Sequence, residues 1–208
     1  MSPELAPYVT AFVTLFVIID PIGLVPVFAA LTQGQSVQKR RQIALRACLI
    51  AIGLLTVFGL LGDSVLSFVG ISMPAFRIAG GVLLFLTALD MLFERRGKRR
   101  EGQTQPNEED PSVFPLAIPL IAGPGAIATM ILLAGQEGAD WSWILAVHVV
   151  MAAVILLTFL MFLTAAPMER LLGPVGINVV TRLLGMLLAA LSVQFVLDGL
   201  ADFGFAGG

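Results

Sequence analysis

Six runs of about twenty predominantly apolar residues divide this chain, and no other feature constrains its fold as strongly. They cover residues 9–31, 43–61, 76–93, 114–133, 143–165 and 179–197. A helix that crosses a bilayer needs about 20 such residues, because the hydrocarbon layer is about 30 Å thick and a helix rises about 1.5 Å per residue. The fold class this predicts is all-α: a polytopic membrane protein of six transmembrane helices. Composition agrees. Charged residues make up 12% of the 208, against roughly 25% in soluble domains, which is too little to cover a water-facing surface. The stretch 63–74 is too short to span and reads as a turn with a short interfacial or re-entrant piece. The opening segment has no basic n-region and no small-residue cleavage site, so it is expected to stay as a helix rather than leave as a signal peptide.

The charges are segregated. Lys39, Arg40 and Arg41 follow the first run, Arg95, Arg96, Lys98, Arg99 and Arg100 follow the third, and Arg170 follows the fifth. The alternate connections hold Asp63, Glu137 and Asp140, and the last segment ends with Asp202. Short cytoplasmic loops carry the Lys/Arg excess, so the expected orientation places both termini outside. The polar stretch 94–112 runs from basic to acidic and reads as a cytoplasmic linker. It separates a first three-helix unit, residues 1–93, from a second, residues 113–208.

Several classes of chemistry find no support. No basic stripe with interleaved aromatics points to nucleic acid. Cys48 is the one cysteine and His148 the one histidine, so neither a disulfide nor a Cys-based metal cluster can form within the chain. A His-Glu-x-x-His pair, a Gly-x-Ser-x-Gly elbow and a phosphate-binding Gly-x-x-x-x-Gly-Lys-Ser/Thr loop are all missing from the sequence. An enzyme is therefore not expected, and no metal or cofactor is called for. Cys48 reads as a small apolar helix residue, and Arg46 as a side chain reaching back to the headgroups.

The two units repeat each other. The first run carries Asp20-Pro21-Ile22-Gly23 and the fourth Gly123-Pro124-Gly125-Ala126, each a proline beside glycine about 15–16 Å into its span. The third carries Arg77-Ile78-Ala79-Gly80 with Asp90 beyond; the sixth carries Arg182-Leu183-Leu184-Gly185 with Asp198 beyond. Three helices per unit is an odd number, so the units should insert with opposite orientation, the inverted repeat of many secondary transporters.

Proline in a helix removes a donor and clashes with a preceding carbonyl. In lipid the freed backbone groups must be satisfied inside the protein or in a wet cavity. A helix broken at mid-membrane thus offers an N-terminal end to a carboxylate and a C-terminal end to a cation. Asp20 sits at such a point, where a carboxylate costs about 2.5–3.5 kcal/mol on insertion scales. Two roles are open to it: binding a substrate ammonium, coupling proton or sodium ion, or capping the amides freed after Pro21. The candidate substrate and ion site is Asp20, Pro21, Gly23, Gly123, Pro124, Gly125 and Thr129. Inverted topology also suggests two gate pairs, Arg77 with Asp198 at one face and Arg182 with Asp90 at the other, unless all four are interfacial anchors. Thr87, Ser192 and Gln194 are weaker cavity candidates, and His148 reads as a packing or interfacial residue rather than a proton relay.

The first-run segment Asp20-Pro21-Ile22-Gly23-Leu24-Val25-Pro26-Val27-Phe28 and the fourth-run segment from Pro115 through Ile118-Pro119 to Gly123-Pro124-Gly125-Ala126 resemble the MarC family of bacterial inner-membrane proteins, also called UPF0056. Lys39-Arg40-Arg41 and the stretch Gln194–Gly199 fit as well, so the likeness covers nearly the whole chain. Within the family the Asp-Pro pair is similar to the YhgN-like branch, where other members have Asn-Pro. The resemblance implies six helices in the plasma membrane and a place among amino-acid transporters, some archaeal relatives carrying glycine and alanine. The function expected is a secondary transporter of small neutral amino acids or similar metabolites, driven by a proton or ion gradient. A non-transporting scaffold is the alternative, and an oligomer is compatible with either.

Overall fold

A computed structural model describes residues 5–93, 110–136 and 139–204. Among them every regular element is a helix: α1 (Ala6–Ile19), α2 (Pro21–Leu31), α3 (Val37–Val69), α4 (Met73–Leu92), a wide-turned segment α5 (Ser112–Ile121), α6 (Pro124–Ala134), α7 (Trp141–Leu163) and α8 (Ala165–Asp202). Five spans are long and apolar enough to cross a membrane, with α1 and α2 counted together, and the α5–α6 pair, bent by 55°, makes a sixth. Most of the linker expected at 94–112 lies outside the described residues.

Local chemistry explains most helix ends. Ser36, Ser72 and Asp140 accept hydrogen bonds from the amides three residues on and start α3, α4 and α7, as N-cap oxygens do. Pro21, Pro74 and Pro124 stand in first turns, where a missing N–H costs nothing. Within α8, Gly173 at φ 61° breaks the helix, and the apolar span runs from Val175 to Asp202.

The turn expected over 63–74 is corrected. α3 runs on for 33 residues through Val69, and only 70–72 connect it to α4. Asp63, Ser64 and Ser67 are exposed on its last turns. Gly62 does not break it; a Cβ there would stand 2.5 Å from Ile131 Cγ1, so the glycine makes room for α6. The helix ends where Gly70 adopts φ 82° and its N–H reaches back to Leu66 and Ser67, the left-handed stop that glycine takes most easily.

The basic loop after α2 defines one end of the bundle, called here the basic face. The ends of α3, α6 and α8 and the starts of α1, α4 and α7 form the opposite, acidic face. Lipid tails give apolar helices no reason to associate, so membrane helices pack where small residues let backbones approach. Gly81 of α4 lies against Ser192 and Val196 of α8, and Gly185 of α8 lies against Ala88 and Met91 of α4. α3 packs on α5, α6 and α7. The broken helices occupy the middle: 67% of the first span's apolar window is buried, against 22–33% in the other four spans. In α6, Gly125, Ala126 and every residue from Ala128 to Ala134 are buried. Exposed Leu, Val and Phe on α3, α4, α7 and α8 form the lipid-facing rim.

Candidate functional site

The first break is one residue wide. The backbone of Asp20 is left-handed at φ 54°, ψ 62°, the one non-glycine described residue with positive φ. Aspartate tolerates that region better than most residues. Its N–H closes α1 on Phe16 O at 2.9 Å, and its C=O opens α2 by accepting from Leu24 N at 3.1 Å. Its Oδ1 accepts from Gly23 N at 3.0 Å. The capping role open to Asp20 is thus realised, by a carboxylate that is 0% exposed. Gly23 is required here, because a Cβ would run into that carboxylate.

The second break is wider. Phe114 (ψ 129°) and Ile118 (ψ 124°) are extended within α5, and each precedes a proline, a position that disfavours helical backbone. The chain closes wide turns instead: Leu116 N bonds to Pro111 O and Ala122 N to Ala117 O, five residues back. Gly123 then begins α6, with no side chain capping its first turn. A Cβ on Gly123 would stand 2.5 Å from Pro119 O, so only glycine fits the corner.

The two breaks meet. Gly125, one residue into α6, presses against the residues leading into Asp20: a Cβ there would stand 2.8 Å from Ile18 Cδ1 and 3.5 Å from Leu84 Cδ2. Thr129 lies one turn further along α6 on the same face. It is fully buried, and its Oγ1 has no hydrogen-bond partner among the described residues. Such a hydroxyl calls for a water, ion or ligand group. Asp20, Pro21 and Gly23 therefore gather at one break and Gly123, Pro124 and Gly125 at the other, with Ile18 against Gly125 as the link and Thr129 beside it.

Of the gate residues, Arg77 meets a different partner from the one read in the sequence. Arg77 pairs with Asp202, one turn beyond Asp198, while Asp198 accepts a hydrogen bond from Gln194 at 2.6 Å. At the basic face, Gly185 packs on the turn of α4 that holds Asp90, which brings that turn within a helical turn of Arg182. Arg46 meets Asp110 at 2.7 Å and so ties α3 to the segment entering α5. The Asp110 carboxyl is held below its usual value, first by the Ser112 side chain and with a contribution from Arg46. Thr87 and Ser192 bond to carbonyls of their own helix.

Sequence reasoning missed two features. Phe28 of α2 stacks on Phe162 of α7 at 4.4 Å, with Arg40 over its ring; an aromatic at each basic-face end was the available signal. The contacts of half-buried His148 were not legible at all, since they depend on α3. Among the described residues no cluster of His, Cys, Asp and Glu could hold a metal ion.

Comparison with known proteins covers the whole of this arrangement. The family description "MarC family integral membrane protein" matches residues 5–203. A UPF0056 membrane protein of Archaeoglobus fulgidus is 39% identical over 198 residues, covering 94% of this chain and 92% of that one. In Escherichia coli K12, the UPF0056 membrane protein YhcE is 36% identical over 93% of this chain and 91% of its own. The UPF0056 inner membrane protein YhgN is 35% identical over 92% and 95%. No solved structure matches.

Proposed function

We propose, of a chain that belongs to the MarC family of integral membrane proteins, that it is a secondary transporter of small neutral amino acids or similar small metabolites. The observation that carries this reading is the meeting of two interrupted spans in the bundle core, one of them bearing the buried Asp20 carboxylate. A zwitterion needs an anionic group for its ammonium and donors for its carboxylate. Asp20 supplies the first; the start of α6, uncapped by any side chain, supplies the second through its positive dipole end. Thr129 Oγ1 adds a hydroxyl for a third contact. The reading is of a carrier and involves no covalent chemistry. Energy comes from a proton or sodium gradient, with Asp20 the first candidate to carry the coupling cation.

The packing favours a 3+3 inverted repeat. α3 lies against its counterpart α7 and α4 against its counterpart α8, and other pairings come in matched sets, α1 on α7 with α5 on α3 and α2 on α8 with α6 on α4. With Arg77 and Arg182 aligned, Val196 corresponds to Met91. Gly185 then corresponds to Gly80, so Gly81 meeting Val196 and Gly185 meeting Met91 are the same contact to within one residue, as a pseudo-two-fold axis leads one to expect. On the Lys/Arg rule the basic face is cytoplasmic and both termini lie outside, in the inner membrane of a bacterium.

Uptake tests the proposal. Purified protein in proteoliposomes should exchange labelled alanine or glycine with internal unlabelled substrate, above empty vesicles. Absence of counterflow for every small neutral amino acid and related metabolite tried, from protein shown to be folded, overturns it in favour of a scaffold.

A further inference from the structure

α7 carries a histidine that the site above does not use. His148 lies seven residues from the helix start, about 10 Å in from the acidic face. Its Nδ1 is 2.7 Å from Ile144 O. A carbonyl only accepts, so Nδ1 holds a hydrogen; a second hydrogen on Nε2 would meet no acceptor, and the form that fits is the ring with its lone pair on Nε2. That nitrogen is buried and has no hydrogen-bond partner among the described residues. It faces Gly59 of α3, where a Cβ would stand 2.8 Å from Nε2 and 2.9 Å from Met130 Cε of α6. A basic nitrogen is therefore closed into an apolar slot between three helices, shut by a glycine that leaves no room even for a methyl group.

We propose that His148 Nε2 is a proton-binding site whose occupation parts α7 from α3 at Gly59, a proton-operated seam opening toward the acidic face. The closed slot has room neither for a partner nor for water, and an unpaired buried charge is expensive. A proton taken from the acidic-face solution onto the Nε2 lone pair makes an imidazolium. The population then shifts to a state in which water or a carboxylate reaches it. Neighbouring elements supply that carboxylate in one direction only. Asp63 stands one turn beyond Gly59 on α3, and Asp140 caps α7 at the same face. α1 contributes Tyr8, its ring tilted against Trp143, and Asp20 at its far end; α2 and α6 contain no titratable residue. The remaining charges of α3, Lys39, Arg40, Arg41 and Arg46, and Cys48 lie in its basic half. α8 offers Arg182, with Asp198 and Asp202 held by Gln194 and Arg77. The proposal rests on the carrier reading for its purpose, since a proton that opens the acidic-face seam is one way to use a proton gradient, but its observables need no substrate.

The chain contains one histidine, so untagged protein labelled with ¹⁵N-histidine in nanodiscs gives one imidazole to follow. The expected spectrum shows hydrogen on Nδ1 and a bare Nε2 in alkaline buffer, and hydrogen on both nitrogens after acidification. In a Cys48→Ala background, nitroxides at the lipid-facing positions Leu60→Cys and Val149→Cys should separate over the same range. His148→Gln, which cannot titrate, should keep them together at every pH. An Nε2–H tautomer at high pH, an imidazole that never titrates, titration without separation, or separation that persists in His148→Gln each overturns the seam. Absence of counterflow in the parent protein bears on the carrier reading alone.

Discussion

The two interrupted spans are alike in sequence and opposite in chemistry. At the first, one aspartate closes the incoming helix, opens the outgoing one and caps it with its own carboxylate. At the second, the ten wide-turned residues of α5 lead to a glycine, and the outgoing helix begins with no side chain on its amides. A helix start behaves like a partial positive charge. The first break has therefore met that charge from within, while the second leaves it without a side-chain cap. The two interrupted spans thus form a pair of unequal poles, which suits a ligand with two unequal ends.

The largest effect should come from making the first pole resemble the second. Asp20→Gly keeps the left-handed backbone without strain and removes only the carboxylate, which makes it a cleaner variant than Asp20→Ala. Loss of a charged hydrogen bond, about 1.5–3 kcal/mol, should lower counterflow about ten- to a hundredfold. Asp20→Asn keeps a capping oxygen and the fold, and should lose ion-driven accumulation while retaining part of the exchange. Counterflow by Asp20→Gly at the parent rate removes the charge difference from the mechanism.

A smaller loss is expected at the second pole. Gly125→Ala places a methyl group against Ile18, whose side chain can give way in part. Overpacking of about 1 kcal/mol should lower counterflow several-fold, with affinity for the substrate carboxylate falling more than for analogues that lack one. Equal losses for both classes of compound mean that the uncapped helix start does not select an anion.

The Arg77–Asp202 pair is a control outside both poles. Arg77→Asp should cost about 1 kcal/mol or less, as surface pairs do, and adding Asp202→Arg should restore most of it in thermal denaturation. Recovery with Asp198→Arg instead would favour the partner first read from the sequence. The smallest effect concerns Asp140. Hydrogen bonds from the Trp143 amide and then the Ser142 hydroxyl hold its carboxyl below the usual value. The stability it lends is thus complete above the unfolded value of about 3.9 and is lost as pH falls through the lower folded value. Asp140→Asn should flatten that acid limb of the melting curve and leave the curve near neutrality unchanged.

Both poles were readable where they depended on local chemistry. Pro21 and Pro124 announce lost donors wherever they sit, and a carboxylate beside one of them had a capping role open from the start. The extended backbone of Phe114 and Ile118 has a local cause as well, the proline that follows each of them. α3 was cut short because Gly62-Asp63 looks like an ending; only Ile131, far along the chain, shows that the glycine is a seat for another helix. Asp202 in place of Asp198 is a slip of one turn, which helical periodicity alone cannot fix. The closure around His148 depends on Gly59 and Met130 arriving from two other helices, so no window of sequence contains it.

The burial of the first span also bears on how the molecule is made. Chains emerge N-terminus first, so α1 and α2 enter the membrane before the helices that surround them exist. The span more enclosed than α3, α4, α7 or α8, carrying a carboxylate at mid-depth, thus faces lipid before the helices that enclose it arrive. It must wait there through the synthesis of more than ninety further residues before Gly125 arrives against Ile18. The cap from Asp20 to Gly23 spans only three residues and can form as soon as α2 does. It lets the break be satisfied from within during that interval, so the residue that polarises the core also makes its earliest piece fit to be born alone.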